Sequence, residues 1–251
     1  MPGAMQNVGC LPAPTLRKVK MLEEIQNLNE ELRRLTRAVD LPPEVVETIA
    51  QSILEAGRAV TGLRIGQTAP DFALLNHHQR VVTLSERLAR GPTVVCFLRG
   101  EWCPYCNLEL RAYQKALPQF QELGATLVAI SPQTPDHSLS TKEKHELAFV
   151  VLSDMGNCVA REYGLAFTLD EAGRALHAQM GTDLPAYNGD DAWELPVTGT
   201  FLVDQSRTVR LASVDPNFFH RLDPSVVVAR LKELMSSHDA PSNSTPKNDL
   251  A

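Results

Sequence analysis

The sequence has no long hydrophobic run, few aromatic residues and no excess of basic charge. Aromatic residues make up 6% of its 251 residues, and no apolar stretch reaches the ~20 residues that a membrane helix needs. The 24 Lys and Arg residues are outnumbered by 30 Asp and Glu residues, which leaves a net charge of -6. These absences predict a chain with no membrane segment and no nucleic-acid partner.

Cysteine is also scarce, and its five residues are too few and too odd in number for a disulfide scaffold. Cys10, Cys96 and Cys158 are scattered, and only Cys103 and Cys106 have the spacing of a bonding pair. This usage is typical of a reducing compartment in which a disulfide is catalytic rather than structural. The N-terminal segment has neither a charged start nor an apolar core, so we predict no signal peptide and a cytoplasmic location.

Composition and hydrophobic pattern divide the chain into four parts. Residues 1–14 and the Ser/Pro/Asn-rich residues 237–251 are predicted to be disordered. Residues 15–61 are predicted to form a helical hairpin, because apolar residues recur three and four apart before a Pro42-Pro43 break. This hairpin has two interpretations, which are packing back on the main domain and forming a homodimer contact.

Strands and helices alternate in residues 62–236, which predicts one α/β domain with a mostly parallel or mixed sheet. The predicted strands are 71–75, 81–84, 93–98, 126–130, 148–152, 200–203 and 209–214. The first two are expected to pair as a hairpin across residues 76–80. The predicted helices are 108–123, 157–164 and 224–236.

The most informative segment is Cys-Pro-Tyr-Cys, from Cys103 to Cys106, between the predicted strand 93–98 and the predicted helix 108–123. Proline is favoured at the first helical position, so Cys103 is predicted at the helix cap and Cys106 in the first turn. The N–H groups and dipole of that turn favour negative charge, and therefore a thiolate. The pair predicts thiol–disulfide or peroxide chemistry.

Two neighbours of the pair are candidate site residues. The positive charge of Arg99 would favour thiolate over thiol, and the alternative is a surface cation. Trp102 could wall off one side of the site, and the alternative is packing on the sheet edge. A structural zinc site would need a second Cys/His pair with suitable spacing, which the seven histidines do not supply, so no metal is expected.

Short motifs follow one another in a characteristic order along residues 62–235. They are Gly66-x-x-Ala69-Pro70-Asp71-Phe72, Phe97-Leu98-Arg99-Gly100-x-Trp102-Cys103-Pro104-Tyr105-Cys106-x-x-Glu109-Leu110, Ser131, Leu152-Ser153-Asp154, Tyr163-Gly164 and Gly199-Thr200-Phe201-Leu202-Val203-Asp204. In this order they resemble the alkyl hydroperoxide reductase/thiol-specific antioxidant (AhpC/TSA) family, the peroxiredoxin-like proteins. The resemblance implies a thioredoxin-like fold, with a central mixed sheet flanked by helices, here preceded by the helical hairpin.

The resemblance also implies a thiol-dependent oxidoreductase. Such an enzyme would reduce hydrogen peroxide, alkyl hydroperoxides or disulfides through the Cys103/Cys106 pair, without a metal or an organic cofactor. An external dithiol or thiol reductant, such as thioredoxin, glutaredoxin or glutathione, would restore the reduced pair.

The resemblance leaves the identity of the attacking sulfur open. Helix position favours Cys103, whereas the family pattern Pro-x-x-x-Thr/Ser-x-x-Cys, followed by Glu-Leu, places Cys106 on the peroxidatic cysteine. It also places Arg99 on the family's proline, and the family's second active-site arginine falls at Thr198. We therefore expect an altered peroxide pocket, with Trp102 and Thr198 as substrate contacts.

A second hypothesis is a redox sensor or scaffold without catalytic turnover. In that case the Cys103–Cys106 disulfide would switch self-association of the helical hairpin. The altered pocket positions and the coiled-coil-like seam of residues 15–40 motivate this alternative.

Overall fold

The structure is a computed structural model that describes residues 27–38, 47, 51, 53–217 and 219–238. The predicted disordered segment at residues 1–14 lies outside these ranges, as do residues 239–251 of the predicted tail. The first part of the predicted hairpin, up to residue 26, and its Pro42-Pro43 break also lie outside the described residues.

A seven-stranded mixed sheet forms the centre of the domain. Its strands are β1 (Ala73–Asn76), β2 (Val81–Thr83), β3 (Thr93–Phe97), β4 (Thr126–Ser131), β5 (Val150–Ser153), β8 (Gly199–Val203) and β9 (Val209–Val214), in the order β2-β1-β5-β4-β3-β8-β9. Strand β3 runs parallel to β4 and antiparallel to β8, with Phe97 opposite Gly199. Strands β6 (Ala166–Thr168) and β7 (Glu194–Pro196) form a separate antiparallel pair.

Helices cover both faces of this sheet. They are α1 (Leu28–Ala38), α2 (Leu84–Leu88), α3 (Pro104–Glu122), α4 (Pro135–Lys144), α5 (Cys158–Glu162), α6 (Glu171–Gln179), α7 (Leu184–Asn188) and α8 (Pro224–His238). A 3-10 turn at Met155–Asn157 precedes α5, and residues 53–57 are also helical. Among the described helices, none has the length and apolar character that crossing a membrane requires.

Strand β3 separates two apolar layers because side chains alternate between the faces of a strand. Val94 and Cys96 pack into the layer that contains the buried residues of α1, α3 and α8. Val95 and Phe97 pack into the opposite layer, which contains the buried residues of α2 and α5. The continuous apolar run predicted at 93–98 is therefore a strand that is buried on both faces.

Helix α1 packs on the main domain, against α3. Leu28 and Leu32 are fully buried, and the Thr36 hydroxyl lies 3.3 Å from the Tyr105 hydroxyl of α3. The Leu28 backbone N–H also donates to the Asp223 carboxylate at 3.0 Å. The described part of the predicted hairpin thus packs back on the domain, as the first of its two interpretations requires.

All seven predicted strands are present in the sheet, with ends that differ by at most two residues. The sequence prediction assigned no element to α2, α4, α6, α7, β6 or β7. Helix α4 shows why, because its sequence is polar and only Ser138 and Thr141 on it are buried, so it lacks the apolar stripe that marks a helix. Helices α2 and α7 have five residues each, which is too short for periodicity to indicate them.

Truncating Phe201 to alanine is expected to destabilise the fold strongly. Phe201 is fully buried in β8 and packs edge-on against Phe97 and Tyr163, with ring centroids 6.1 and 5.5 Å away. Loss of this ring should lower the free energy of unfolding by about 3–5 kcal/mol, as measured by denaturant titration. Val81→Ala is the control, because Val81 is 60% exposed. A loss below about 1 kcal/mol for Phe201→Ala would contradict the packing described here.

Candidate active site

The candidate active site is built on the turn between β3 and α3. Beyond β3, the Leu98 N–H still donates to Ile130 of the neighbouring strand at 2.8 Å. Gly100 then has a φ of +151°, and a side-chain Cβ there would lie 2.5 Å from the Trp102 indole nitrogen. The Cys103 N–H donates to the Gly100 carbonyl at 3.1 Å and closes the turn. The absence of a side chain at Gly100 is what allows the Trp102 indole to lie against this turn.

Cys103 is the N-cap of α3 and Pro104 is its first residue, as the sequence predicted. The Cys103 sulfur accepts a hydrogen bond from the Cys106 backbone N–H at 3.4 Å. It also accepts one from Nη2 of Arg99 at 3.1 Å. Cys103 is 1% exposed and Arg99 is 4% exposed, so this contact is buried. Arg99 is therefore not the surface cation of the alternative interpretation.

The two sulfurs of the pair differ in acidity. Burial alone would raise the pKa of Cys103, but a hydrogen bond with Cys106 and the charges of Arg99 and Arg221 hold that pKa well below its ordinary value. Burial, the hydrogen bond with Cys103 and the charge of Cys103 raise the pKa of Cys106 well above its ordinary value. In the reduced protein, the favoured state is thus a thiolate at Cys103 and a thiol at Cys106.

Trp102 lies between Arg99 and the helix α6. The Arg99 guanidinium carbon is 5.7 Å from the centroid of the indole ring, within cation–π range. The ring of His177, a buried residue of α6, meets Trp102 edge-on with centroids 5.0 Å apart. Burial and the charge of Arg99 lower the pKa of His177 to about 4, so this ring is neutral at pH 7. Trp102 and His177 form one side of the site.

A buried ion pair, which was not predicted from the sequence, also lies close to the two cysteines. Arg221 Nε donates to Glu109 Oε2 at 2.7 Å, and both side chains are 2% exposed. Arg221 precedes α8 in a loop without a motif, so no sequence signal indicated it. Glu109 lies on the buried face of α3. Because a buried carboxylate requires a partner, this position was the one sequence signal that indicated an ion pair here.

A cavity of about 230 Å³ borders this ion pair. It is lined by Glu109 and Arg221, by the predicted substrate contact Thr198, and by Asn29, Gly199, Thr200, Ser213, Asp215, His220, Leu222, Asp223 and Val226. The register of β3 and β8 puts Gly199 opposite Phe97, so Thr198 lies at the sheet end where the chain leaves β3 toward Arg99.

The fold therefore brings Cys103, Cys106, Arg99 and Trp102 together, and it puts Thr198 on the neighbouring cavity. Of the other described thiols, Cys96 is buried in β3 and Cys158 is exposed at the start of α5. Within the described ranges, no three His, Cys, Asp or Glu side chains are grouped as a metal site would need.

Comparison with known proteins gives one family match and many relatives. The family model described as AhpC/TSA family matches residues 65–212, more than half of the chain. The chain is 34% identical to chloroplastic peroxiredoxin Q of Oryza sativa subsp. japonica over 100 aligned residues. The aligned segment is 40% of this chain and 46% of that protein. The chain spans about half of the length of the curated relatives that it matches.

Solved structures with the same fold are also found. Peroxidoxin BcpB from Mycobacterium tuberculosis matches with a TM-score of 0.55 at 21% identity, covering 68% of this chain and 98% of that one. Yeast mitochondrial 1-Cys peroxiredoxin, whose thiol resolution via glutathione/thioredoxin systems was studied, matches with a TM-score of 0.54 at 18% identity. This match covers 73% of this chain and 84% of the yeast chain. Both matches identify the fold as the thioredoxin-like fold of peroxiredoxins.

Proposed function

Because the chain belongs to the AhpC/TSA family, we propose that it is a thiol-dependent oxidoreductase that reduces peroxides, and also disulfides, through Cys103 and Cys106. The substrates are hydrogen peroxide or alkyl hydroperoxides. The observation that carries the proposal is the buried Cys103 sulfur at the N-cap of α3, which accepts a hydrogen bond from Arg99 at 3.1 Å. A thiolate held in this way is the reactive form of cysteine.

In this proposal Cys103 attacks and Cys106 resolves. The lowered pKa of Cys103 and the raised pKa of Cys106 support this order over the one implied by the family pattern. A thiolate attacks and a thiol does not, so the sulfur that ionises more readily reacts first. Cys106 lies one turn further along α3, within reach of an oxidised Cys103, as a resolving thiol must be.

The reaction proceeds in three balanced steps. The Cys103 thiolate attacks the terminal oxygen of the hydroperoxide, a S–O bond forms as the O–O bond breaks, and the alkoxide leaves and takes up a proton. The Cys106 sulfur then attacks the Cys103 sulfenic acid, which forms the disulfide and releases water. An external dithiol supplies two electrons and two protons and returns the pair to its reduced state. With a disulfide substrate, a mixed disulfide replaces the sulfenic acid.

Two arginines serve this chemistry. Arg99 donates to the Cys103 sulfur and stabilises the thiolate. Arg221 supplies a second positive charge, which also lowers the pKa of Cys103. We propose that Arg221 compensates for Thr198, which stands at the family's second arginine position, and that Trp102 and Thr198 contact the substrate.

The reductant and the assembly complete the proposal. We propose a dithiol or thiol reductant such as thioredoxin, glutaredoxin or glutathione, in line with the glutathione/thioredoxin systems of the yeast mitochondrial 1-Cys peroxiredoxin. A homodimer through the N-terminal helices is proposed on the part of the coiled-coil-like seam other than Leu28 and Leu32, which are buried on the domain. A cytoplasmic location is proposed on the cysteine usage. The domain division at residues 14 and 61 is proposed on composition and hydrophobic pattern, and the predicted tail is proposed to begin after His238, because α8 extends to that residue.

Stopped-flow fluorescence tests the peroxidase proposal. The chain has two tryptophans, so a Trp193→Phe background leaves Trp102, beside Cys103, as the reporter. We expect a fast fluorescence change whose rate is proportional to the concentration of hydrogen peroxide or of an organic hydroperoxide. Oxidation at the rate of a free thiol would reject peroxide reduction. If such slow oxidation were accompanied by a reductant-dependent shift in size exclusion, the sensor hypothesis would replace it.

A further inference from the structure

Glu109 takes no part in the three reaction steps proposed above. It stands three residues after Cys106 on α3, and side chains at this spacing are neighbours on one helix face, with Cβ atoms about 5–6 Å apart. Both residues are buried, and Arg221 contacts both of them, since its Nε donates to Glu109 Oε2 at 2.7 Å and its guanidinium also hydrogen-bonds with Cys106. A carboxylate is thus fixed beside the thiol that must lose its proton for the disulfide to form.

The cavity of about 230 Å³ borders this carboxylate and has several polar side chains in its wall. Thr198, Ser213 and Asp215 line it together with Glu109 and Arg221. A space of this size with polar groups in its wall has room for water. Glu109 therefore has a thiol on its own helix and, beside it, a cavity whose wall carries polar side chains, which is an arrangement that proton transfer can use.

We propose that Glu109 is the proton acceptor for Cys106 in the resolving step. The Cys106 proton passes to the Glu109 carboxylate as the Cys106 sulfur forms its bond to the oxidised Cys103 sulfur. When Cys103 is a sulfenic acid, the same proton is then returned to the hydroxide that leaves as water. When Cys103 carries a mixed disulfide, the leaving group departs as a thiolate, and protonated Glu109 then loses its proton to solvent through the cavity. The proposal rests on the proposed function, since it describes the second step of that chemistry.

The electrostatics around Glu109 support this role. Burial raises the pKa of Glu109 to about 7, opposed by Arg221 and assisted by Cys106, so the carboxylate is present at neutral pH and can also be protonated there. An acid–base group is most effective when its pKa is near the working pH. The groups that interact electrostatically with Glu109 are Arg99, Arg221, Cys96, Cys106 and Tyr113. The titratable groups across the cavity are Asp215, His220 and Asp223.

The alternative role for Glu109 is a purely electrostatic one, as the partner of Arg221. The two roles predict opposite effects of Glu109→Gln. Removing a negative charge near Cys106 lowers the pKa of that thiol and would accelerate its attack. Removing a proton acceptor slows the attack although the thiol has become more acidic. The sign of the rate change therefore separates the two roles.

The experiment measures the Cys106 attack without peroxide. In a Cys10→Ser, Cys158→Ser background, the reduced protein is mixed with 5,5′-dithiobis(2-nitrobenzoate). The first thionitrobenzoate is released when Cys103 forms the mixed disulfide, and the second is released when Cys106 displaces it. We expect Glu109→Gln to slow the second release by about 10²-fold and to leave the first release nearly unchanged. Glu109→Asp should restore part of the rate.

Two further comparisons keep the proposal falsifiable. With Glu109 intact, the rate of the second release should increase as the pH rises through about 7, where Glu109 loses its proton. Glu109→Gln should abolish this increase in the pH–rate profile. Glu101→Gln is the matched control, because Glu101 is also close to Cys103 in sequence but pairs with His137 at 2.8 Å. An unchanged or faster second release in Glu109→Gln, or a profile without the increase near pH 7, would overturn the proposal. Slow peroxide oxidation with a normal Glu109 effect would instead overturn only the peroxidase assignment.

Discussion

Replacing Cys103 with serine is expected to abolish fast oxidation by peroxide, whereas replacing Cys106 is expected to leave that first step intact. Serine cannot form the low-pKa anion that Arg99 and the α3 cap stabilise in Cys103. Turnover with peroxide and an external dithiol should therefore fall by at least about 10³-fold, as it does when an enzyme loses its nucleophile.

Cys106→Ser tests the order of the two sulfurs. With Cys103 intact, one equivalent of peroxide should still be consumed quickly, and the sulfenic acid should be trapped by dimedone and detected by mass spectrometry. Multiple turnovers in the presence of thioredoxin should be lost, because the resolving thiol is gone. Cys158→Ser is the control, since Cys158 is exposed at the start of α5, and it should behave as the unsubstituted chain. The reverse result, with rapid oxidation in Cys103→Ser and none in Cys106→Ser, would assign the attack to Cys106.

Replacing Arg99 with methionine is expected to raise the pH at which Cys103 is alkylated. Methionine keeps an unbranched side chain of similar length, but it removes the donor at 3.1 Å from the sulfur and a buried positive charge. A hydrogen bond to a charged group contributes about 1.5–3 kcal/mol, which corresponds to a rise of about one to two pH units. The measurement is the rate of iodoacetamide alkylation as a function of pH, followed by mass spectrometry of the Cys103 peptide.

The direction of the Arg99 effect follows from which form of the thiol the arginine favours. Arg99 stabilises the thiolate, so its loss raises the pKa and moves the alkylation midpoint toward higher pH. Arg174→Met is the matched control, because Arg174 lies over Trp193 at 5.6 Å much as Arg99 lies over Trp102 at 5.7 Å. This control should leave the midpoint unchanged. An identical profile for Arg99→Met would mean that the helix cap and Arg221 set the acidity of Cys103 without Arg99.

The strand pattern of this domain was predictable because it is encoded locally. The run at 93–98 is apolar without interruption, and a strand that is buried on both faces requires that composition. Helices α6 and α7 were not predictable, because they are short and bury few of their residues. Yet α6 carries His177, which forms one wall of the candidate site against Trp102. The site thus includes a residue from a segment whose local pattern indicates no structure.

The sequence by itself determined where the reactive pair stands. Two cysteines three residues apart, with a proline between them after a buried strand, require a cap position and a first-turn position on one helix. The tertiary structure decided the part of the difference between the two sulfurs that burial and Arg221 supply. Arg221 lies 112 residues from Glu109, and only the folded chain brings it to the buried side of α3. The pKa of a buried thiol depends on its desolvation and on the charges around it, and residues distant in sequence supply part of that charge.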